Sequence, residues 1–401
     1  MSKGTNLISE IGKYFKENDA TSAMNKIMKI IRTLNFSEKR LFGEESRCNC
    51  KYSQLQVLQL LLLFPCFMIK NAFNYSTSSL CGIADCGKDV FYRFLSREDY
   101  DWRNILINIT TQLWRKTLAN TERDDKTPIC LMVDDTDYPK RGIQTEMIGK
   151  VFSHVEHKMI LGFKGLFLGI TDGSTQMLMD FCLVGERGKN GMYNLKQKQL
   201  DARFTKERDK DSHTAKRIKE YDESKITLMI EMIKRLIARK IHFDYILADS
   251  WFACAEVIKF VTSRHIKCHY LGMIKMGKTK YHYNRKDYTA KALVALFDHP
   301  KKGRKYSRSL GCYYVTVDVE FAGRKVRLFF TKRNKKSDWN ALITTNTELE
   351  FKEAYRIYSM RWSLEVVFKD SKGNLGLGKY QMRNFASQIA CTAITAIQYN
   401  I

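Results

Sequence analysis

The chain has 401 residues, 44% of them hydrophobic and 28% charged, with only 4 prolines; this is enough apolar material for two or three domain cores and argues against long disordered linkers. Its 68 Lys and Arg against 43 Asp and Glu leave a formal net charge of +25, which points to a phosphate-bearing partner. The 11 cysteines are odd in number and lack paired C-x-x-C spacing, so reduced thiols in a cytosolic protein are expected.

The first 120 residues read as helical. SAMNKIMKIIRTL, YSQLQVLQLLLLFPCFMI, DVFYRFL and WRNILINITTQLWRKTL each repeat apolar residues at helical spacing. The run from Leu55 to Ile69 is the most membrane-like, but it holds Gln56, Gln59 and Pro65 and falls short of the about 20 residues needed to span a bilayer, so a buried helix and no membrane contact are predicted.

The pattern then changes. In ICLMVDDTDYPK, residues 129–133 read as a buried strand that delivers Asp134 and Asp135 at its carboxyl end. Because residues on both faces of that strand are apolar, alternation does not choose between the two acids. GLFLGITDG and QMLMDFCLVGE follow as a hairpin through Gly173 and Ser174. His154 and His157 have HxxH spacing but too few companions for zinc. The stretch 187–223 is too polar to bury a face and predicts a mobile linker. A helix is expected from about Ser224 to Lys240, then a strand at 243–248 ending on Asp249, a helix at 255–264 and a strand near CHYLGMIKM.

Between Asp249 and Glu365 lie 116 positions, more than a direct connection needs. CYYVTVDVEF, AGRKVRLFFTKR and WNALITTN fill this interval with β patterns and a hairpin at Ala322 and Gly323. From Leu271 to Asn340 there are 18 Lys and Arg against 5 Asp and Glu, interleaved with Tyr281, Tyr283, Tyr288 and Tyr306. A local basic excess with aromatic surfaces suits nucleic acid.

In YSMRWSLEVVFKDSK, Tyr358, Arg361, Glu365 and Lys372 stand at offsets that place them within roughly 60° on a helix of about 100° per residue. Ile357, Met360, Leu364, Val367 and Phe368 form the adjoining apolar stripe, and Gly373, Gly376 and Gly378 end the helix. Glu365 suits a metal; Arg361, Lys372 and Tyr358 suit phosphate oxygens. With one acid from each upstream strand, Glu365 completes a set of carboxylates that repel one another unless cations join them, the arrangement of a two-metal phosphoryl-transfer centre using Mg2+, with Mn2+ as a substitute.

The spacing Y-x2-R-x3-E-x6-K from Tyr358 to Lys372, the DDT at 134–136 and the ADS around Asp249 resemble the DDE transposases of bacterial insertion sequences, in the branch with a Tyr-Arg-Glu-Lys signature. The resemblance covers roughly residues 85–401. It implies an α+β multidomain chain: a helical DNA-binding domain (1–120), a ribonuclease H-like mixed α/β core (121–274 and 347–401) and a mainly β insertion domain (275–346). It implies Asp135, directly before the Thr, then Asp249 and Glu365 as catalytic, metal-holding acids, with Tyr358, Arg361 and Lys372 clamping phosphates. It further implies cut-and-paste transposition through a DNA hairpin, double-stranded terminal repeats and target DNA as partners, a homodimer in a synaptic complex, and a place at the nucleoid of a bacterial cytoplasm. An insertion-domain aromatic would stack a flipped base. The chain stops at Ile401 inside the apolar run ASQIACTAITAIQYNI, where relatives continue into dimerisation helices; a truncated or catalytically inactive remnant that only binds DNA is therefore the alternative reading. A conventional metal nuclease would share the fold and the acids.

Overall fold

A computed structural model describes residues 21–34, 37–46, 50–122 and 127–401. The amino-terminal part is helical as the pattern predicts: residues 21–33 (α1), Glu38–Phe42 (α2), Gln54–Leu63 (α3), Ser79–Ile83 (α4), Lys88–Leu95 (α5) and Trp102–Asn120 (α6). The Leu-rich run starts where Ser53 and Gln56 form a capping box and continues past α3 into a 3₁₀ turn, Phe64–Phe67, that accommodates Pro65. Its Val57, Leu58 and Leu60 to Leu63 are buried. Among the described residues no helix is long and apolar enough to cross a membrane.

The middle of the chain builds a mixed sheet from β1 (Cys130–Pro139), β2 (Gly149–Ser153), β3 (Lys158–Thr171), β4 (Gln176–Val184), β5 (Tyr245–Ala248) and β6 (His269–Ile274). β3 pairs antiparallel with β4 on one side and with β1 on the other, β1 pairs parallel with β5, and β5 parallel with β6. The order β4-β3-β1-β5-β6 is the ribonuclease H-like arrangement expected from the sequence. Parallel pairs need crossover helices, which are supplied by α9 (Lys225–Ala238, capped by Ser224) and α10 (Ala255–Val261), the latter between β5 and β6. Leu131, Met132 and Val133 of β1 are fully buried, because helices cover both faces of the strand.

HxxH lies in the tight turn joining β2 to β3, with both imidazoles exposed. One feature departs from the sequence reading. The polar stretch 187–223 is not a mobile linker: it carries α7 (Gln197–Asp201) and α8 (His213–Glu220) and is pinned by ion pairs. Arg208 reaches Glu98 and Glu146, and Glu220 meets Arg103 of α6. Charged residues can be packed when they neutralise one another, which a hydrophobicity pattern does not register.

The segment after β6 holds β7 (Lys280–Tyr283), β8 (Lys286–Thr289), α11 (Ala290–Phe297), β9 (Lys305–Ser307), β10 (Cys312–Phe321), β11 (Arg324–Lys332) and β12 (Asn340–Thr344). Ala322 and Gly323, both at positive φ, make the β10–β11 turn. These strands do not form a detached sheet. β12 pairs antiparallel with β6, so the sheet runs on continuously through β12, β11 and β10 to β7 and β8.

The chain then returns to the core as α12 (Phe351–Ser359), α13 (Trp362–Asn374) and α14 (Phe385–Asn400). The signature does not lie on one unbroken helix. At Met360 and Arg361 the bonds tighten to the i→i−3 kind, separating α12 from α13. α14 is buried against α6 and β4.

Candidate active site

The carboxyl ends of β1 and β5 lie side by side, with Val133 opposite Ala248. In a parallel register the next residues of each strand, Asp134 and Asp249, project to the same face. That face is covered by α13. Gly169 of β3 shows how closely: a β-carbon there would stand 3.2 Å from Met132 and 3.4 Å from Leu364 of the helix. The helix is seated by Leu364, Val367 and Phe368, all buried, and so brings Arg361 and Glu365 over the strand ends.

Arg361 is the junction. Its Nη1 donates to Asp134 Oδ2 at 2.7 Å and its Nη2 to Glu365 Oε1 at 2.7 Å. The guanidinium also lies 5.8 Å from the centre of the Tyr358 ring, while its buried Nε has no partner among the described residues. Burial pushes Asp134 up to about 6; Arg361 opposes the shift, and the neighbouring charges of Asp249 and Asp135 add to it. Burial likewise raises the Tyr358 phenol, against the pull of Arg361. Arg361 itself is held more firmly protonated, since Tyr358, Asp134 and Glu365 together outweigh its own desolvation. Asp249 accepts from the backbone N–H of Trp251 at 2.9 Å; it organises the turn after β5 and does not cap α10, whose N-cap is Cys254.

Asp135, the acid expected from the resemblance to lead the set, has the opposite parity in β1 and points to the other face. There Lys225, at the start of α9, donates to it at 2.6 Å, and Lys164 of β3 lies 3.7 Å away. Lys164 also holds Asp137, its cross-strand partner. The structure therefore joins Asp134 and Glu365 through Arg361, with the Tyr358 ring and the charge of Asp249 nearby, and sets Asp135 among lysines. Lys372 donates to Thr136 Oγ1 at 2.6 Å, one step beyond Asp134 on the same face, and burial lowers its pKa. Sequence reasoning missed Lys164 and Lys225. The first had a readable signal, a lone Lys inside the apolar run GFKGLFLGI; the second had none.

The donor set suits a hard divalent cation, because it is made of carboxylates, one of them with a raised pKa that a cation would relieve. It is not already closed around a metal. Among the described residues no three His, Cys, Asp or Glu side chains are gathered to hold one, and Arg361 stands between two of the acids.

A family model described as DDE superfamily endonuclease matches residues 77–287, more than half of the chain. The chain is a DDE superfamily endonuclease. A second model, described as Transposase DDE domain, matches residues 211–401 of this endonuclease and so includes Asp249 and Glu365. Among solved structures, it is similar to a piggyBac transposase synaptic complex with hairpin DNA, with a TM-score of 0.40 and 10% identity, covering 88% of this chain and 69% of that one. No curated protein matches it.

Proposed function

We propose that this DDE endonuclease is a DNA transposase that cuts at the terminal repeats of its own element and joins the freed ends to target DNA. The observation that carries the reading is the meeting of Asp134 and Glu365 on Arg361 beside Asp249, at the carboxyl edge of a ribonuclease H-like sheet. The match of residues 211–401 to a transposase DDE domain supports it.

In this proposal Asp134, Asp249 and Glu365 would hold two Mg2+ ions, which when bound would supply Lewis-acid stabilisation of the charge that develops at phosphorus. The protein's own groups position the DNA. Arg361 carries an unpartnered Nε–H as well as its two bonded nitrogens, and can offer that donor to a non-bridging phosphate oxygen. Tyr358 stays a neutral phenol and can donate in the same way. Lys372, anchored on Thr136, adds charge farther along the helix.

The chemistry is a series of displacements at phosphorus. Water attacks the phosphodiester at the element end, and a 3'-hydroxyl leaves. That hydroxyl attacks the opposite strand, giving a hairpin, and after hairpin opening attacks target DNA. Each step makes one P–O bond and breaks one, with no covalent protein intermediate.

The basic strands β7 to β11 provide the surface along which duplex DNA lies, and the helical residues before 120 contact the repeats. The divisions at 120, 274 and 346, a homodimeric synaptic complex and a bacterial insertion-sequence origin belong to the same proposal. The test is incubation of the protein with a labelled duplex bearing its element's terminal repeat, in Mg2+ and in EDTA, beside Glu365→Gln. Mg2+-dependent cleavage at the repeat boundary, absent in the variant, is expected; cleavage by the variant at the wild-type rate would overturn the assignment, and hydrolysis without hairpin or joined products would indicate a nuclease.

A further inference from the structure

Trp251 stands two residues after Asp249, and 57% of it is exposed although it is the largest kind of apolar side chain. Its position is not loose. Its backbone N–H donates to Asp249, which fixes the main chain of Trp251 beside the acid. Two ammonium groups frame it: Lys275, the first residue after β6, with Nζ 5.2 Å from the ring centre, and Lys225, with Nζ 5.7 Å away. Lys225 is itself steadied by Asp135. Both ammonium groups lie over the indole ring, which still leaves more than half of the side chain exposed.

An exposed aromatic ring accompanied by cations is the elementary unit of single-strand recognition. A base stacks on the ring, which tolerates any base because each has a π-face, and the cations neutralise the phosphates on either side. The interior of a duplex cannot use such a unit, since its bases are already stacked on both faces. We infer that Trp251, Lys225 and Lys275 form a contact for single-stranded DNA at the edge of the active site, taking one unpaired base with its flanking phosphates. The inference rests on the DNA-processing reading above and goes beyond it. It places unpaired DNA on the carboxyl ends of β5 and β6, next to the acids rather than on the distant basic strands. It also gives Asp135 a task outside the acid set, that of holding Lys225 beside the ring.

The experiment uses the full chain in Ca2+ and fluorescein-labelled DNA of three kinds: a blunt duplex, the same duplex with a short thymidine overhang, and that overhang made of abasic residues. Binding is read by anisotropy. Wild type is expected to prefer the thymidine overhang to the blunt end by about tenfold, within the range that stacking one base provides. Trp251→Ala and the abasic overhang should each remove the preference, and Trp251→Phe should retain most of it. Lys275→Gln should lower the salt slope of overhang binding by about 0.7. An unchanged overhang preference in a folded Trp251→Ala protein, or no preference in wild type, overturns the inference. If wild type cleaves the terminal-repeat duplex in Mg2+ while either of these holds, the transposase reading stands and only the single-strand contact fails.

Discussion

Arg361 donates to Asp134 across 227 positions of sequence and so ties α13 to the end of β1. The contact engages Asp134, while its neighbour Asp135 meets Lys225 instead. Asp134→Asn should reduce cleavage by at least about 10³-fold, the scale of losing a group that acts only in the transition state. Asp135→Asn should stay within about tenfold of wild type, since it disturbs only the placement of Lys225 and Lys164. Single-turnover cleavage of a terminal-repeat duplex decides the matter; an inactive Asp135→Asn beside an active Asp134→Asn would reverse the assignment.

Protons and metal should compete at Asp134. Its carboxyl titrates at about 6 in the metal-free protein, mainly through burial, so below that pH a metal must displace a proton. The Mg2+ concentration for half-maximal cleavage should therefore rise about tenfold per pH unit on going below the titration, and stay level above it. A metal requirement that is flat from pH 7 to 5, measured at matched ionic strength, would contradict this account.

A buried ion network joins the amino-terminal helices to the core. Asp180 of β4 is fully buried and accepts from Arg103 of α6 and Arg235 of α9, each at 2.9 Å, while Glu220 of α8 also binds Arg103. Asp180→Asn leaves Arg235 without its ion-pair partner and Arg103 with Glu220 alone, and should cost about 3 to 5 kcal/mol. Urea unfolding measures it. A loss below about 1 kcal/mol would mean that the network is solvated and weak.

Lys140 tests the carboxyl-terminal packing. Its ammonium nitrogen is enclosed with the Tyr138, Phe163 and Tyr380 rings and donates to the carbonyls of Gly378 and Tyr380, and burial brings its pKa down to about 7. Above that pH the folded chain carries a neutral amine, whereas the unfolded chain stays protonated up to about 10.4. The unfolded state then binds more protons, so this residue makes stability rise with pH through that window, by at most about 1.4 kcal/mol per unit. Lys140→Met removes the dependence. The difference in melting temperature between wild type and variant, followed from pH 6.5 to 9.5, should widen in favour of wild type, and a constant difference would refute the burial of a neutral amine.

Much of the fold was legible in the chain because it depends on local pattern. The strand of 129–133, the hairpin of 165–186, the Ser224 helix, the strand before Asp249 and the CYYVTVDVEF hairpin all follow from side-chain periodicity and turn residues. The closeness of Arg361 to Glu365 and Tyr358 was legible too, since their spacings lie near one helical turn. Tertiary structure decided what depends on direction and on distant partners. Asp134 and Asp135 are neighbours in sequence, and only the register of β1 against β5 and the seat of α13 set which one faces Glu365. The joining of the β7–β12 strands to β6 rests on edge pairing between remote segments. The order of 187–223 rests on ion pairs with α6, and the company of Trp251 on the ends of α9 and β6. Sequence by itself determined the elements and the inventory of charged groups. Long-range hydrogen bonding and burial determined which face each group occupies, because a one-residue step along a strand turns a side chain to the opposite side of the sheet.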